Sequence, residues 1–283
     1  MPEASEPSSA VALTEAVGRV LKESSLATLA TLIETPPVVE SSPAVGAKLL
    51  IEEQGARTGT FGDTALDAAV ARHATAFLAS RIEAGTHLVK EFAPELGAWR
   101  DARILFERIA PEPRLVICGA GHVGASLARL ARLTGYSTTL IDDRADFVTR
   151  ERFSDAGIEL IVAESWTDAV TQAVGHGRNV AVAVVTRGHN EDEECMRAVV
   201  TARPDYIGLI GSRRRTNIVL ERLRETGADE NMLRQVRAPI GLDIGAVSPE
   251  EVALAILAEI VAERRGGTGR ALSAWRRDEG VNG

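Results

Sequence analysis

Apolar residues along this chain fall into short runs, and what separates the runs changes once, near residue 110. Val11 to Leu21 repeats its apolar positions at helical spacing, and "LATLATLIET" (Leu26 to Thr35) is rich in Leu, Ile and Thr, as strands are. "PPVVESSPAVG" reads as a proline- and serine-rich loop. "AKLLIEEQGARTGTFGD" carries an apolar run, a Gln54-Gly55 turn and a Thr-rich return, the signal of a hairpin. Gly62-Asp63-Thr64 then predicts the cap of a helix over about 65–79, with Leu66, Ala69, Val70, His73 and Phe77 near one face. "GTHLVKEF" and "ARILFERI" are two more candidate strands. The two prolines of "APEP" (Ala110 to Pro113) interrupt regular structure and mark the domain boundary.

Beyond that boundary, short apolar runs alternate with helical stretches, which predicts a parallel sheet. Strands are expected at 114–118, 136–142, 158–162, 180–185 and 205–210. The helices between them are expected to start near His122, Arg150, Trp166 and Glu191, with a further one from Arg213. The last helix has a sharp start: Ser248 as N-cap, Pro249 in the first turn and Glu251 completing a capping box, running to about Glu263. The fold class is therefore α/β: a Rossmann-like parallel sheet over 114–265 with helices on both faces, preceded by a smaller α+β domain over 11–110. Residues 1–10 read as a disordered lead-in and 266–283 as a flexible tail apart from Trp275.

The stretch "LVICGAGHVGASLARLARLTG" points to a dinucleotide or similar phosphate ligand, the alternative being a Rossmann half that kept its turn and lost its ligand. A strand runs into Gly119, Gly121 and Gly124, and a helix opens behind them, the layout that seats a phosphate on a helix N-terminus. Gly119 permits the tight turn, Gly121 the close approach of a pyrophosphate, and Gly124 the packing of helix on strand. Asp142 closes the next strand about twenty positions on, where an acid can hold a ribose hydroxyl. That carboxylate repels a 2′-phosphate, whereas Arg144 leaves the phosphorylated ribose open. His122 can reach a phosphate or point to solvent.

Three more loops share the carboxyl rim of such a sheet. "VVTRGHNEDEEC" brings Arg187, His189 and Asp192, the last two able to act as an acid–base or metal-binding pair. The alternative is that Asn190 or Asp192 caps the following helix. "YIGLIGSRRRT" places Arg213, Arg214 and Arg215 behind Ser212 in the first turn of a helix. Cations are unfavourable there unless an anion joins them; the other reading is solvated arginines paired with Glu221 or Glu225. "APIGLDIGA" sets Asp243 among glycines, as a rim residue or a turn former.

Composition narrows the class of partner. The chain has 283 residues and a net charge of −8, which argues against a general nucleic-acid surface. Its two cysteines, Cys118 and Cys195, form neither a ligand quartet nor a disulfide framework, and both read as core; no structural metal site is expected and a reducing cytoplasm fits. No run approaches the roughly 20 apolar residues of a membrane span. "MPEASEPSSA" lacks the basic and apolar regions of a signal peptide.

Taken in order, "CGAGHVG", "LIDDR", "TRGHNED", "YIGLIGSRRR" and "APIGLDIGAVSPEEVALAILAEIVAERRG" resemble the xanthine dehydrogenase accessory factor family, XdhC/CoxI. "VGAKLLIEEQGARTGTFGDTALDAAV" resembles that family's N-terminal domain more loosely. The resemblance spans about residues 14 to 265. It implies a maturation factor that binds molybdenum cofactor, as molybdopterin or its cytosine dinucleotide form. Such a factor holds the cofactor while a cysteine desulfurase-type partner supplies sulfur, and delivers it to an apo molybdenum hydroxylase. A homodimer is also implied. Some relatives carry a cysteine in the glycine-rich N-terminal turn; here the matching stretch is Gly62-Asp63-Thr64, so Asp63, a neighbouring loop or the Rossmann rim would have to serve. An NAD(P)-dependent oxidoreductase with His189 as acid, and a regulatory nucleotide-sensing module, use the same cradle and stay open as alternatives. Tyr136 and Tyr206 lie in strand patterns and the lysines (Lys22, Lys48, Lys90) all precede the glycine loop, which favours a carrier over hydride chemistry.

Overall fold

The computed structural model describes residues 9–36, 45–80, 82–175 and 178–274. The proline- and serine-rich stretch lies largely outside them, as do most of the expected lead-in and the end of the tail with Trp275. Contacts divide the chain into two compact units, residues 1–111 and 112–283.

The first unit is built on a five-stranded antiparallel sheet. Helix α1 (Ser9–Lys22) leads into β1 (Ala27–Glu34), and the hairpin β2 (Lys48–Glu52) and β3 (Arg57–Gly59) turns at Gln54-Gly55 as its sequence requires. Helix α2 (Thr64–Ala79) is capped by Asp63, whose carboxylate accepts from the Ala65 and Leu66 backbone N–H groups at 2.8 and 3.0 Å. Then follow β4 (Ala84–Leu88), the single turn α3 (Val89–Phe92) and β5 (Arg103–Ile109), giving the sheet order β3-β2-β1-β5-β4. "GTHLVKEF" is thus only half a strand. Val89 is buried and the Glu91 carboxylate accepts from the Leu88 N–H at 3.2 Å, so the chain coils where it leaves the sheet edge.

The second unit is a parallel sheet of β6 (Arg114–Cys118), β7 (Ser137–Asp142), β8 (Ile158–Val162), β9 (Val180–Val184) and β10 (Tyr206–Leu209), in the order β10-β9-β6-β7-β8. The alternation of each strand assigns its two faces. Val116 and Cys118 of β6, with Val180, Val182 and Val184 of β9, join one core with α5 (Trp166–Val174), α6 (His189–Ala202), α7 (Arg213–Glu225) and α8 (Glu230–Gln235). Leu115, Ile117, Ala181 and Ala183 face the other, with α4 (His122–Leu133) and α9 (Pro249–Arg265). Both cysteines are fully buried in the first of these cores. Helix α9 starts as expected, with Ser248 and Glu251 exchanging their capping-box bonds. No helix among the described residues is long and apolar enough to cross a membrane.

The helix expected from Arg150 does not form. A 3-10 turn over Ala145–Phe147 is followed by irregular chain up to β8. "TRERFSDAG" has no apolar stripe to bury; instead Val148 and Phe153 anchor it singly in the core. The helix expected near Glu191 starts two residues earlier, at His189, with Gly188 as its N-cap. Neither Asn190 nor Asp192 caps it.

Candidate functional site

The order β8-β7-β6-β9-β10 reverses its direction of growth between β6 and β9, and in open α/β sheets ligands bind at the carboxyl ends of the strands at that point. The glycine loop occupies it. Gly119 follows β6 with φ +113°, and a Cβ there would lie 2.6 Å from the Val185 carbonyl oxygen. At Gly124, inside α4, a Cβ would lie 1.8 Å from the Gly119 carbonyl oxygen. Both are glycines because backbone passes backbone. Gly121 is different: it is the N-cap of α4 and a Cβ on it would meet nothing within 4 Å. The space beside the Gly121 Cα is open, and the first N–H groups of a helix have no partner within it. His122 is the first residue of that helix and is exposed.

Asp142 ends β7 beside this loop and is 1% exposed. Its carboxylate is saturated. One oxygen accepts from the Arg144 N–H at 3.0 Å and Nε at 2.8 Å; the other accepts from the Ala120 N–H at 2.7 Å and Arg144 Nη2 at 2.9 Å. The Arg144 guanidinium lies 3.6 Å from the centre of the Phe147 ring, and the Arg152 guanidinium lies 4.6 Å from the same centre.

Arg187, after β9, forms a two-pronged ion pair with Asp143 after β7, at 2.6 and 2.8 Å, and meets Glu191 at 3.1 Å. Because β6 lies between β9 and β7, this pair joins the loops on either side of the glycine turn. Arg187 holds the Asp143 carboxyl below its ordinary range. His189, the first residue of α6, is exposed. Asp192, one turn later, is fully buried: one oxygen accepts from the Thr186 hydroxyl at 2.5 Å, the other from Arg215 Nε at 2.9 Å and Nη2 at 2.5 Å. Burial pushes its carboxyl up, against the pull of Thr186 and Arg215. Asp192 therefore ties the start of α7 to the end of β9.

At the head of α7, Ser212 caps the helix by accepting from the Arg215 N–H, and Arg213 and Arg214 are exposed. The sheet order puts β10 two strands from β6, about 10 Å at ordinary strand spacing, so the two helix N-termini stand on one rim. Asp243 is exposed in the loop before α9. A cavity of about 430 Å³ opens between α4 and α9, but it is walled by Glu250 and Glu251 as well as Arg129. It offers an anion little.

Sequence reasoning missed Asp143, Phe147 and the role of Arg215. The repeated acid of "LIDDR" was the visible signal for the first; the others depend on contacts between distant segments. In the first unit Asp63 is committed as well. Besides capping α2 it accepts from Trp99 Nε1 at 2.8 Å, and these bonds hold its carboxyl below the usual range. Among the described residues, no group of three or more His, Cys, Asp and Glu side chains is placed to hold a metal ion.

Comparison with known proteins agrees with the Rossmann-like fold of the second unit. Residues 115–260 match the family described as "XdhC Rossmann domain", and residues 21–89 match "XdhC and CoxI family". The uncharacterized protein YqeB of Escherichia coli is 30% identical over 244 residues, covering 81% of this chain and 42% of that protein. A probable xanthine dehydrogenase subunit from Bacillus subtilis is 32% identical, covering 57% of this chain and 46% of its own length. The molybdenum cofactor insertion chaperone PaoD of Escherichia coli is 27% identical, covering 54% and 41%. The alignment thus takes in less than half the length of each of these relatives.

Proposed function

The chain belongs to the XdhC and CoxI family, and from that premise we propose that it carries molybdenum cofactor, gripping the cofactor's phosphate at the glycine loop and passing the cofactor to an apo molybdenum hydroxylase. The observation that carries this reading is the open ground at Gly121: a helix N-terminus whose N-cap has no side chain and nothing within 4 Å of where one would stand. An anion there is favoured by the helix dipole and by unpaired N–H donors together. Around it, His122 and Arg187 flank the loop, and Ser212, Arg213 and Arg214 stand ready on the same rim for the rest of the ligand. Asp192 acts as a positioning residue, because its bonds to Thr186 and Arg215 fix the two loops that carry His189 and the exposed arginines. Asp243 borders the rim from the last loop.

The phosphate end of the cofactor fits these residues. The cofactor itself brings the metal and its dithiolene sulfurs, and none of the described residues is asked to supply a metal cluster. The name of one relative, a molybdenum cofactor insertion chaperone, supports the carrier role, and that of another supports a hydroxylase client. Sulfuration by a cysteine desulfurase-type partner and action as a homodimer belong to the same proposal.

The test is an anaerobic calorimetric titration of the chain with molybdenum cofactor, repeated on Gly121→Asp. A Cβ at this position has room, so the variant is expected to fold, but it places negative charge where the phosphate would sit. Binding by the wild type and at least a tenfold loss in the variant is the expected result. Equal binding by both would remove the phosphate from the glycine loop.

A further inference from the structure

The β7 side of the crevice is where a dinucleotide-binding sheet places a ribose, its two hydroxyls donating to the acid that ends the second strand. In this chain that acid is Asp142, and its position is right while its bonding is not. A carboxylate has about four acceptor sites. All four are taken here from within the protein, by the Ala120 N–H, the Arg144 N–H and two nitrogens of the Arg144 guanidinium. The carboxylate is 1% exposed. Next to it, the aromatic surface on which a base could stack is covered: Arg144 stands 3.6 Å and Arg152 4.6 Å from the centre of the Phe147 ring.

We propose that Asp142, Arg144 and Phe147 form a wall that excludes a ribose 2′,3′-diol and its base from the β7 side. The glycine loop then serves a phosphomonoester whose organic part runs toward β9 and β10. This rests on the reading of the glycine loop as a phosphate cradle, and it deepens that reading by choosing between ligand classes. Arg144 is the specificity-determining residue. Its backbone N–H bond to Asp142 does not depend on its side chain, whereas the side chain fills the two acceptor positions a diol needs and lies on the ring a base needs. Two more charges limit what can enter from this side. Asp143, paired with Arg187, stands next to Asp142 in the chain, and Arg187 bridges the two flanking loops.

The measurement is a set of titrations on the full chain with inorganic pyrophosphate, ADP-ribose and CDP, for the wild type, Arg144→Ala and Arg144→Gln, with circular dichroism to establish folding. The glutamine variant keeps a long chain in place and guards against failure of the alanine variant to fold. The wild type is expected to bind ADP-ribose and CDP no more tightly than pyrophosphate. Arg144→Ala should gain at least tenfold for both ribonucleotides, which share the diol, with pyrophosphate affinity unchanged; Arg144→Gln should gain less. Wild-type binding of either ribonucleotide tenfold more tightly than pyrophosphate would overturn the proposal, as would folded variants with no gain. Failure of the cradle reading looks different: pyrophosphate would not bind the wild type at all, while the gain of the variants for the diol would still report on the wall.

Discussion

Gly121 and Gly124 stand three residues apart in one motif, and their missing side chains serve different ends. At Gly124 a methyl group would meet the Gly119 carbonyl oxygen at 1.8 Å, a contact with backbone that can be relieved only by moving α4 off β6. Gly124→Ala should therefore cost about 3 kcal/mol, in the range of overpacked cores. Gly121→Ala should cost no more than about 1 kcal/mol, since its Cβ meets nothing within 4 Å and only the N-cap preference for glycine over alanine is lost. Urea denaturation of the two variants checks the contrast, and equal costs would contradict it. His73 in the first unit makes a residue-scale prediction of another kind. Its ring stacks on Phe92 at 4.4 Å and meets His87 edge-on at 4.8 Å, and its Nε2 is buried without a hydrogen-bond partner. Burial, and then the nearby His87, hold its pKa below the ordinary 6.5, with Glu91 opposing. The unfolded chain thus takes up this proton before the folded one does, so stability falls as pH drops below about 6.5. His73→Phe should flatten that acid limb, measured as the difference in thermal midpoint between pH 7.5 and pH 5.5. An unchanged difference would place the acid sensitivity elsewhere.

Caps are where elements show how far sequence reasoning reaches. Asp63 and Ser248 were legible because a cap is a local device: an oxygen two or three residues ahead of orphan N–H groups, followed by a periodic apolar run. The glycine turn was legible for the same reason. The missing helix after Arg150 and the coil at Val89 were not, since single buried anchors replaced a stripe in one and a sheet edge ended the strand in the other. The pairing of Asp192 with Arg215 and of Arg187 with Asp143 lay beyond the sequence because each joins segments more than 20 residues apart, and a residue type does not announce which distant charge it will meet. Asp63 tests the cap directly. Its Oδ1 serves α2 and its Oδ2 receives Trp99 Nε1, so Asp63→Ala should cost about 1–2 kcal/mol. Its pKa is depressed from 3.8, so its contribution is present above that value and is lost as pH falls through the lower folded-state value. Chemical denaturation at pH 7 and pH 3 should show the cost of the substitution shrinking with acid.

At the scale of the molecule, the glycine loop proposed as a phosphate cradle, its flanking charges and the Phe147 ring all belong to residues 112–283, and that unit has its own cores on both faces of its own sheet. Every ligand group of the proposed site is therefore drawn from this one unit. Expressed alone, residues 112–283 should unfold cooperatively in urea, since a domain of this size with a complete core folds by itself. They should bind inorganic pyrophosphate within about twofold of the full chain, and Gly121→Asp should abolish that binding in both. Retained folding with binding weakened tenfold or more would mean that residues 1–111 contribute a ligand group to the site. Binding that survives Gly121→Asp in the isolated unit would mean that the exposed arginines of α7, rather than the α4 N-terminus, hold the anion. Pyrophosphate binding kept by the isolated unit and lost in its Gly121→Asp variant would assign anion recognition to the parallel sheet.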